Sequence, residues 1–260
     1  MNILFTLCGR AGSKGVKGKN ARDFLNIPLV WYSMSAIALY IDKYGSGNRI
    51  DVVVNTDSQD LIRFVKKVND LSVGVLLRDE SLAGDRVPKV SVIKDCLEKA
   101  EKKYNVQYDQ VVDLDITSPL RTIEDVKNAI DMLESRPDYD VVYSVVPSRR
   151  NPYFNMAKEE NGYFGRAFTS SYTTRQEAPS FYDKNASIYS YSPRALRQKD
   201  PVKFFLDKCG AIKMFDTGIL DIDSEEDFEL MQVIAKYLFE NISGFIEINR
   251  KATSWNLKNI

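Results

Sequence analysis

An apolar run, Ile3-Leu4-Phe5-Thr6-Leu7, passes without a break into Gly9-Arg10-Ala11-Gly12-Ser13-Lys14-Gly15-Val16-Lys17-Gly18-Lys19-Asn20. The order reads as a buried strand feeding a loop that cradles phosphate. Glycines let backbone N–H groups approach an anion closely, and Arg10, Lys14, Lys17 and Lys19 add positive charge with no acid in the segment to offset it. A polyphosphate is the expected guest.

What the loop lacks narrows the field. A dinucleotide fingerprint would need glycines at 10, 12 and 15, but position 10 is an arginine, whose bulk would fill the space where a pyrophosphate meets bare backbone. A P-loop ending at Gly18-Lys19 would need glycine at 13 and a hydroxyl at 20, where the chain has Ser13 and Asn20. Neither standard phosphate loop is present.

Further along, β-rich runs predict strands over 3–8, 51–55, 73–77, 110–114 and 140–146, with amphipathic stretches near 28–42, 60–69, 89–103 and 123–135 between them. That alternation is a β–α–β rhythm, so the fold expected is α/β with a mostly parallel sheet. Thr122 with Asp125 and Ser224 with Asp227 have capping-box spacing and start helices near 123 and 225. From about 147 to 195 the rhythm gives way to a segment rich in aromatics, Asn, Ser and Pro, read as strands and loops inserted into the framework. One domain over 1–241 is expected, and the tail over 242–260 carries no assignable pattern.

The chain has no histidine, which closes off imidazole-based triads, histidine-ligated zinc and histidine acid–base chemistry. Carboxylates, cations and metal ions must carry the reaction. Lys plus Arg equals Asp plus Glu at 36 each, so the basic loop is a local feature and no nucleic-acid partner is expected. The three cysteines, Cys8, Cys96 and Cys209, lie far apart without metal-like spacing, as in a reducing cytosol. With no leader pattern and no apolar run of bilayer-spanning length, a cytoplasmic protein without membrane contact is expected.

Three further constellations stand out. In Asp221-Ile222-Asp223 the acids are two residues apart, so on extended backbone they point the same way and offer two hard oxygen ligands. They also precede a helix start, where acids serve the macrodipole. The second is Val112-Asp113-Leu114-Asp115-Ile116-Thr117-Ser118-Pro119-Leu120-Arg121, a strand that stops in a polar turn at the carboxyl end, where open α/β sheets bind ligands. In the third, Arg78-Asp79-Glu80-Ser81-Leu82-Ala83-Gly84-Asp85, the arginine can border a base or phosphate, or pair with its acidic neighbours.

Together these motifs resemble the nonulosonic-acid cytidylyltransferases, the CMP-sialic acid synthetase family. The likeness rests on Gly9 to Gly15 with Lys19-Asn20, Leu77-Arg78 with Leu82-Ala83 and Asp85, Thr117 to Arg121, and Asp221 to Asp223, in the family's order over roughly 3–235. It implies a Rossmann-like nucleotidyltransferase sheet whose inserted β-rich segment serves dimerisation and sugar binding. The implied reaction is CMP transfer from CTP to the anomeric hydroxyl of a nonulosonic acid, releasing pyrophosphate. Such a transfer needs charge neutralisation and in-line positioning more than covalent help.

The same resemblance assigns Arg10, Ala11, Gly12, Ser13, Lys14, Lys19 and Asn20 to the nucleotide, with Lys19 and Arg10 catalytic, and Arg78, Asp115 and Ser118 beside the cytidine. Asp221 and Asp223 would hold Mg2+. Arg175, Gln176, Asn185 and Tyr189 would handle the sugar acid, joined by Asp115, while Phe204 and Phe205 match an aromatic pair that reaches a neighbouring subunit's site in a homodimer. The chain departs from the family at two points. Asp115 stands where sialic acid enzymes commonly carry a glutamine, and Arg86-Val87-Pro88-Lys89 replaces a Ser/Thr-rich stretch. Asp115 can accept from the cytosine amino group or join the metal. Competing functions are a metal-dependent nucleotide-sugar glycosyltransferase using Asp113-Leu114-Asp115, and a non-catalytic nucleotide-binding protein.

Overall fold

The structure, a computed structural model, describes residues 1–12, 15–201, 204–218 and 221–257. Its first half repeats strand and helix: β1 (Asn2–Cys8), a small hairpin of β2 (Asp23–Phe24) and β3 (Ile27–Pro28), α1 (Leu29–Tyr44), β4 (Arg49–Thr56), α2 (Gln59–Lys66), β5 (Gly74–Leu77), α3 (Lys89–Tyr104), β6 (Gln110–Leu114), α4 (Ile123–Ser135) and β7 (Val141–Pro147). The second half adds a hairpin of β8 (Ala157–Glu160) and β9 (Tyr163–Arg166), then β10 (Tyr182–Tyr191), α5 (Pro193–Gln198), β11 (Cys209–Lys213), α6 (Glu225–Asn241) and α7 (Ser243–Leu257).

Among the described residues seven strands form the main sheet in the order β11-β7-β10-β6-β1-β4-β5. β1 pairs in parallel with β4 and β6, β4 with β5 and β7 with β11, whereas β10 runs antiparallel to both β6 and β7. Side chains 3 to 7 of β1 and all of β6 are buried, as strands covered by helices on both faces must be. Because the chain moves to β4 on one side of β1 and β6 on the other, a crevice opens at the carboxyl ends of β1 and β6. All five predicted strands are present as β1, β4, β5, β6 and β7, and both capping boxes close, at Thr122 with Asp125 and Ser224 with Asp227.

Two features differ from the sequence reading. The aromatic segment over 147–195 includes β10, a strand in the interior of the sheet, which its polar residues conceal because Asn185, Ser187 and Ser190 are buried with hydrogen-bonded side chains. The tail without an assigned pattern is α7, whose Phe245, Ile248, Ala252 and Trp255 face the core. Their spacing of three, four and three follows the helical repeat. Trp255 meets Trp31 edge to face at 6.1 Å and donates to Asp70 at 2.5 Å, and burying a ring of that size is worth on the order of 5 kcal/mol in removed apolar surface.

Candidate active site

Three segments converge at the crevice. The loop after β1 is drawn against 221–223 so closely that a Cβ on Gly15 would meet the Asp223 carbonyl oxygen at 1.9 Å. Only glycine fits there. Lys19, in a 3-10 turn entered through Gly18 at φ 62°, donates to the Ile222 carbonyl and lies 3.3 Å from Asp223 Oδ1. The Ile222 amide in turn donates to the Thr117 carbonyl at 3.0 Å, which ties 221–223 to the turn after β6.

The loop is braced from within. Asn20 Nδ2 donates to the Arg10 carbonyl at 3.1 Å, Ala11 N donates to Asp57 Oδ1 at 2.7 Å, and Arg10 pairs with Asp85 at 2.5 Å while donating to the Ala83 carbonyl at 3.1 Å. Arg78 lies across β4, donating to Asn55 Oδ1 at 2.7 Å. Arg10, Gly12, Lys19, Asn20, Arg78 and Asp115 line one cavity of about 270 Å³. Ser13 and Lys14, the other two loop residues assigned to the nucleotide, lie outside the described residues.

Asp115, which follows β6, lines this cavity, and Asp113 lies buried behind it within the strand. Asp113 is fully buried, accepts from Thr6 Oγ1 at 2.8 Å and faces the Lys89 ammonium at 2.7 Å; Asp115 Oδ2 takes Lys89 at 2.6 Å, and its Oδ1 accepts from Thr117 N and Oγ1 at 2.9 and 2.8 Å. Burial would raise the Asp115 carboxyl, but Lys89 and the Thr117 donors outweigh it and bring it down to about 2. Burial acts on Lys89 in the opposite sense, and the two flanking carboxylates hold the ammonium well above its ordinary value. Both groups stay charged at any working pH.

Asp221 behaves differently. Burial first, then the neighbouring Asp223 and Asp115 charges, push its carboxyl up to about 6. Among the described residues no three acid, Cys or His side chains gather tightly enough to ligate one ion. Asp221 and Asp223 supply hard carboxylate oxygens of the kind a divalent cation could use, but only two of them.

Behind the turn sits Arg121, wholly buried, which donates to Ser187 Oγ at 2.9 Å and Ser33 Oγ at 2.7 Å and to the Asp115 and Ser118 carbonyls. It fixes the backbone that presents Asp115 and Thr117. Ser118 and Asn185 support the same turn from below: Ser118 Oγ donates to the Asn185 carbonyl at 3.0 Å, and Asn185 Oδ1 accepts from Ser144 at 2.5 Å. Both side chains are buried.

The remaining sugar candidates lie apart. Exposed Arg175 lines a second cleft with Arg150, Tyr182 and Lys213, and neighbouring Gln176 is also exposed. Tyr189 stands beneath Lys89, 5.8 Å from ammonium to ring, and burial pushes its phenol up to about 12. Phe204 is fully buried against Tyr191 at 5.5 Å, which makes it a core ring of this chain, while half-buried Phe205 packs on Tyr143 and Tyr189 with Lys184 over its face at 4.4 Å. Lys89, Asp57 and Asn55 were not singled out from sequence. The basic residue closing the altered stretch 86–89 was the available signal for Lys89, whereas the other two are ordinary residues at the end of β4.

The family model described as Cytidylyltransferase matches residues 7–241. The chain belongs to the cytidylyltransferase family. This places it among the nucleotidyltransferases, and several of its curated relatives carry nonulosonic-acid names. The cytidylyltransferase is 34% identical over 234 residues to the post-translational flagellin modification protein B of Campylobacter coli, covering 90% of this chain and 95% of that protein. It is likewise 34% identical over 232 residues to the CMP-N,N′-diacetyllegionaminic acid synthase of Campylobacter jejuni, covering 89% and 94%. In fold it is similar to a CMP:2-keto-3-deoxy-manno-octonic acid synthetase solved with CTP, at TM-score 0.61 and 15% identity over 91% of this chain and 99% of that one. The glycosyltransferase and non-catalytic alternatives do not fit this membership, and Asp113, enclosed by Thr6 and Lys89, is not open to a metal. Among the described residues no helix is long and apolar enough to cross a membrane.

Proposed function

We propose that this cytidylyltransferase transfers CMP from CTP to the anomeric hydroxyl of a legionaminic-type nonulosonic acid, with Mg2+ held by Asp221 and Asp223. The observation that carries the reading is the junction of the basic loop with 221–223: Gly15 abuts the Asp223 carbonyl and Lys19 reaches both Ile222 and Asp223. A triphosphate laid along the loop has its negative oxygens between those cations and those carboxylates. The sugar hydroxyl oxygen bonds to the α-phosphorus and gives up its proton to solvent as the bond from that phosphorus to the bridging oxygen breaks, and pyrophosphate leaves. Lys19 and Arg10 neutralise the charge that builds on the leaving group. Bound magnesium supplies charge and orientation to the phosphate oxygens.

The choice of acid is supported by the relative named for N,N′-diacetyllegionaminic acid at 34% identity. Arg150, Arg175 and Lys213 give the second cleft a positive lining that suits an anionic sugar acid. A homodimer is the assembly we propose, through β8 and β9, every residue of which is exposed, including Tyr163 and Phe164 at 81% and 75%. The test is pyrophosphate release from each of the four nucleoside triphosphates against a panel of nonulosonic acids. Release from CTP with a legionaminic acid is expected, and release with none of the acids, or only from another triphosphate, would overturn the reading.

A further inference from the structure

The two places where the chain departs from the sialic acid enzymes, 86–89 and Asp115, are far apart in sequence and meet in one ion pair. Lys89 opens α3 and Asp115 follows β6, and their charged ends touch at 2.6 Å on the wall of the cavity that also contains Arg10, Lys19 and Arg78. The hydrogen-bond inventory of the pair is nearly full. Asp115 Oδ1 has both lone pairs taken by Thr117, while Oδ2 has one taken by Lys89 and one left. An ammonium has three hydrogens; Lys89 donates one to Asp115 and pairs by charge with Asp113, which leaves at least one for a ligand. The pair therefore offers a ligand one acceptor and one donor side by side.

The surroundings indicate which part of the ligand meets it. Cys8, Leu82, Val87 and Val92 line the same cavity and give it apolar walls suited to a flat ring. Arg175, by contrast, lines the other cleft. Cytosine presents an amino group, a donor, next to its ring N3, an acceptor; uracil presents O4 and N3–H, the same two roles in reversed order. A base fixed through its ribose and phosphates cannot exchange those positions. We infer that Lys89 and Asp115 form a matched donor–acceptor pair that reads the amino–imino edge of cytosine and selects CTP over UTP. The Thr6, Asp113 and Thr117 contacts hold the pair in place, so uracil would set its O4 against the Asp115 carboxylate and its N3–H against the Lys89 ammonium.

This inference rests on the reading of CTP as donor, and its main readout, nucleotide binding, needs no sugar acid. Calorimetric binding of CTP and of UTP is measured on the full chain as wild type, Asp115→Asn, Lys89→Met and Lys89→Arg. Wild type is expected to favour CTP by about a hundredfold or more. Asp115→Asn, whose amide can donate to O4, and Lys89→Met should each cut that ratio by roughly tenfold or more, with Lys89→Arg restoring part of it. An unchanged ratio in both variants, or equal loss of CTP and UTP binding, overturns the inference; so does an unchanged ratio with a raised KM for the nonulosonic acid. If one variant fails to fold, the other carries the same readout. A wild type that binds no CTP defeats the donor assignment itself, an outcome separate from a failure of the pair.

Discussion

The crevice between β1 and β6 and the hairpin of β8 and β9 are built on opposite terms. At the crevice, strands buried on both faces end in loops pinned to one another: Gly9 N to the Asn55 carbonyl, Ile222 N to the Thr117 carbonyl, and Arg121 to two carbonyls of its own turn. Charges there sit in prepared contacts, as stabilisation of a developing phosphate charge requires. In the hairpin all eight strand residues are exposed, so the protomer's own core gives it no reason to carry Tyr163 and Phe164. One region is fixed by internal contacts, whereas the other adds little to the core and is the face proposed above for the dimer.

The sharpest way to break this division is Asp223→Asn. Its side chain is 76% exposed, so folding stability should change by less than about 0.5 kcal/mol, while pyrophosphate release falls about a thousandfold or more. Melting and turnover measured on one preparation decide it, and near-normal turnover removes Asp223 from the metal site. A smaller effect should follow from acid. Asp115 has a folded value of about 2, below its ordinary 3.8, so its contribution is complete above the ordinary value and lost as pH falls through about 2. Urea unfolding should show the wild type's lead over Asp115→Asn narrowing by about 2 kcal/mol across that window; a constant lead would mean that Lys89 and Thr117 do not hold the carboxylate. Smallest for the protomer is Phe164→Ser in the hairpin, with a thermal midpoint nearly unchanged but dimer dissociation at least tenfold weaker in affinity by sedimentation. An unaltered monomer–dimer equilibrium would place the interface elsewhere.

Much of the crevice was legible from the chain alone, because its signals are local. Ile3 to Leu7 had to be buried, the glycines after them mark a loop that Gly15 lets pass close to Asp223, and Thr122 and Ser224 announced their helices through residues three positions away. β10 was harder to read because its buried serines and Asn185 look like loop residues until Gln110, Arg121 and Ser144 are brought alongside to bond them. Phe204 and Phe205 read alike in sequence, yet one is core and the other half-exposed, a distinction set by which side of the segment meets Tyr191. The helical spacing of Phe245, Ile248, Ala252 and Trp255 was present in the tail and was masked by the polar residues between them.

By itself the sequence determined the parallel α/β framework, the anion-seeking loop and a chemistry without imidazole, since each follows from residue type and short-range spacing. Only the tertiary structure decided what each charge faces. Asp223 lies at Lys19, Arg10 at Asp85 and Asp115 at Lys89, across separations that no local pattern spans. A carboxylate's role depends on its distance to a partner and on the water removed between them, and both are set when the sheet brings remote loops to one edge.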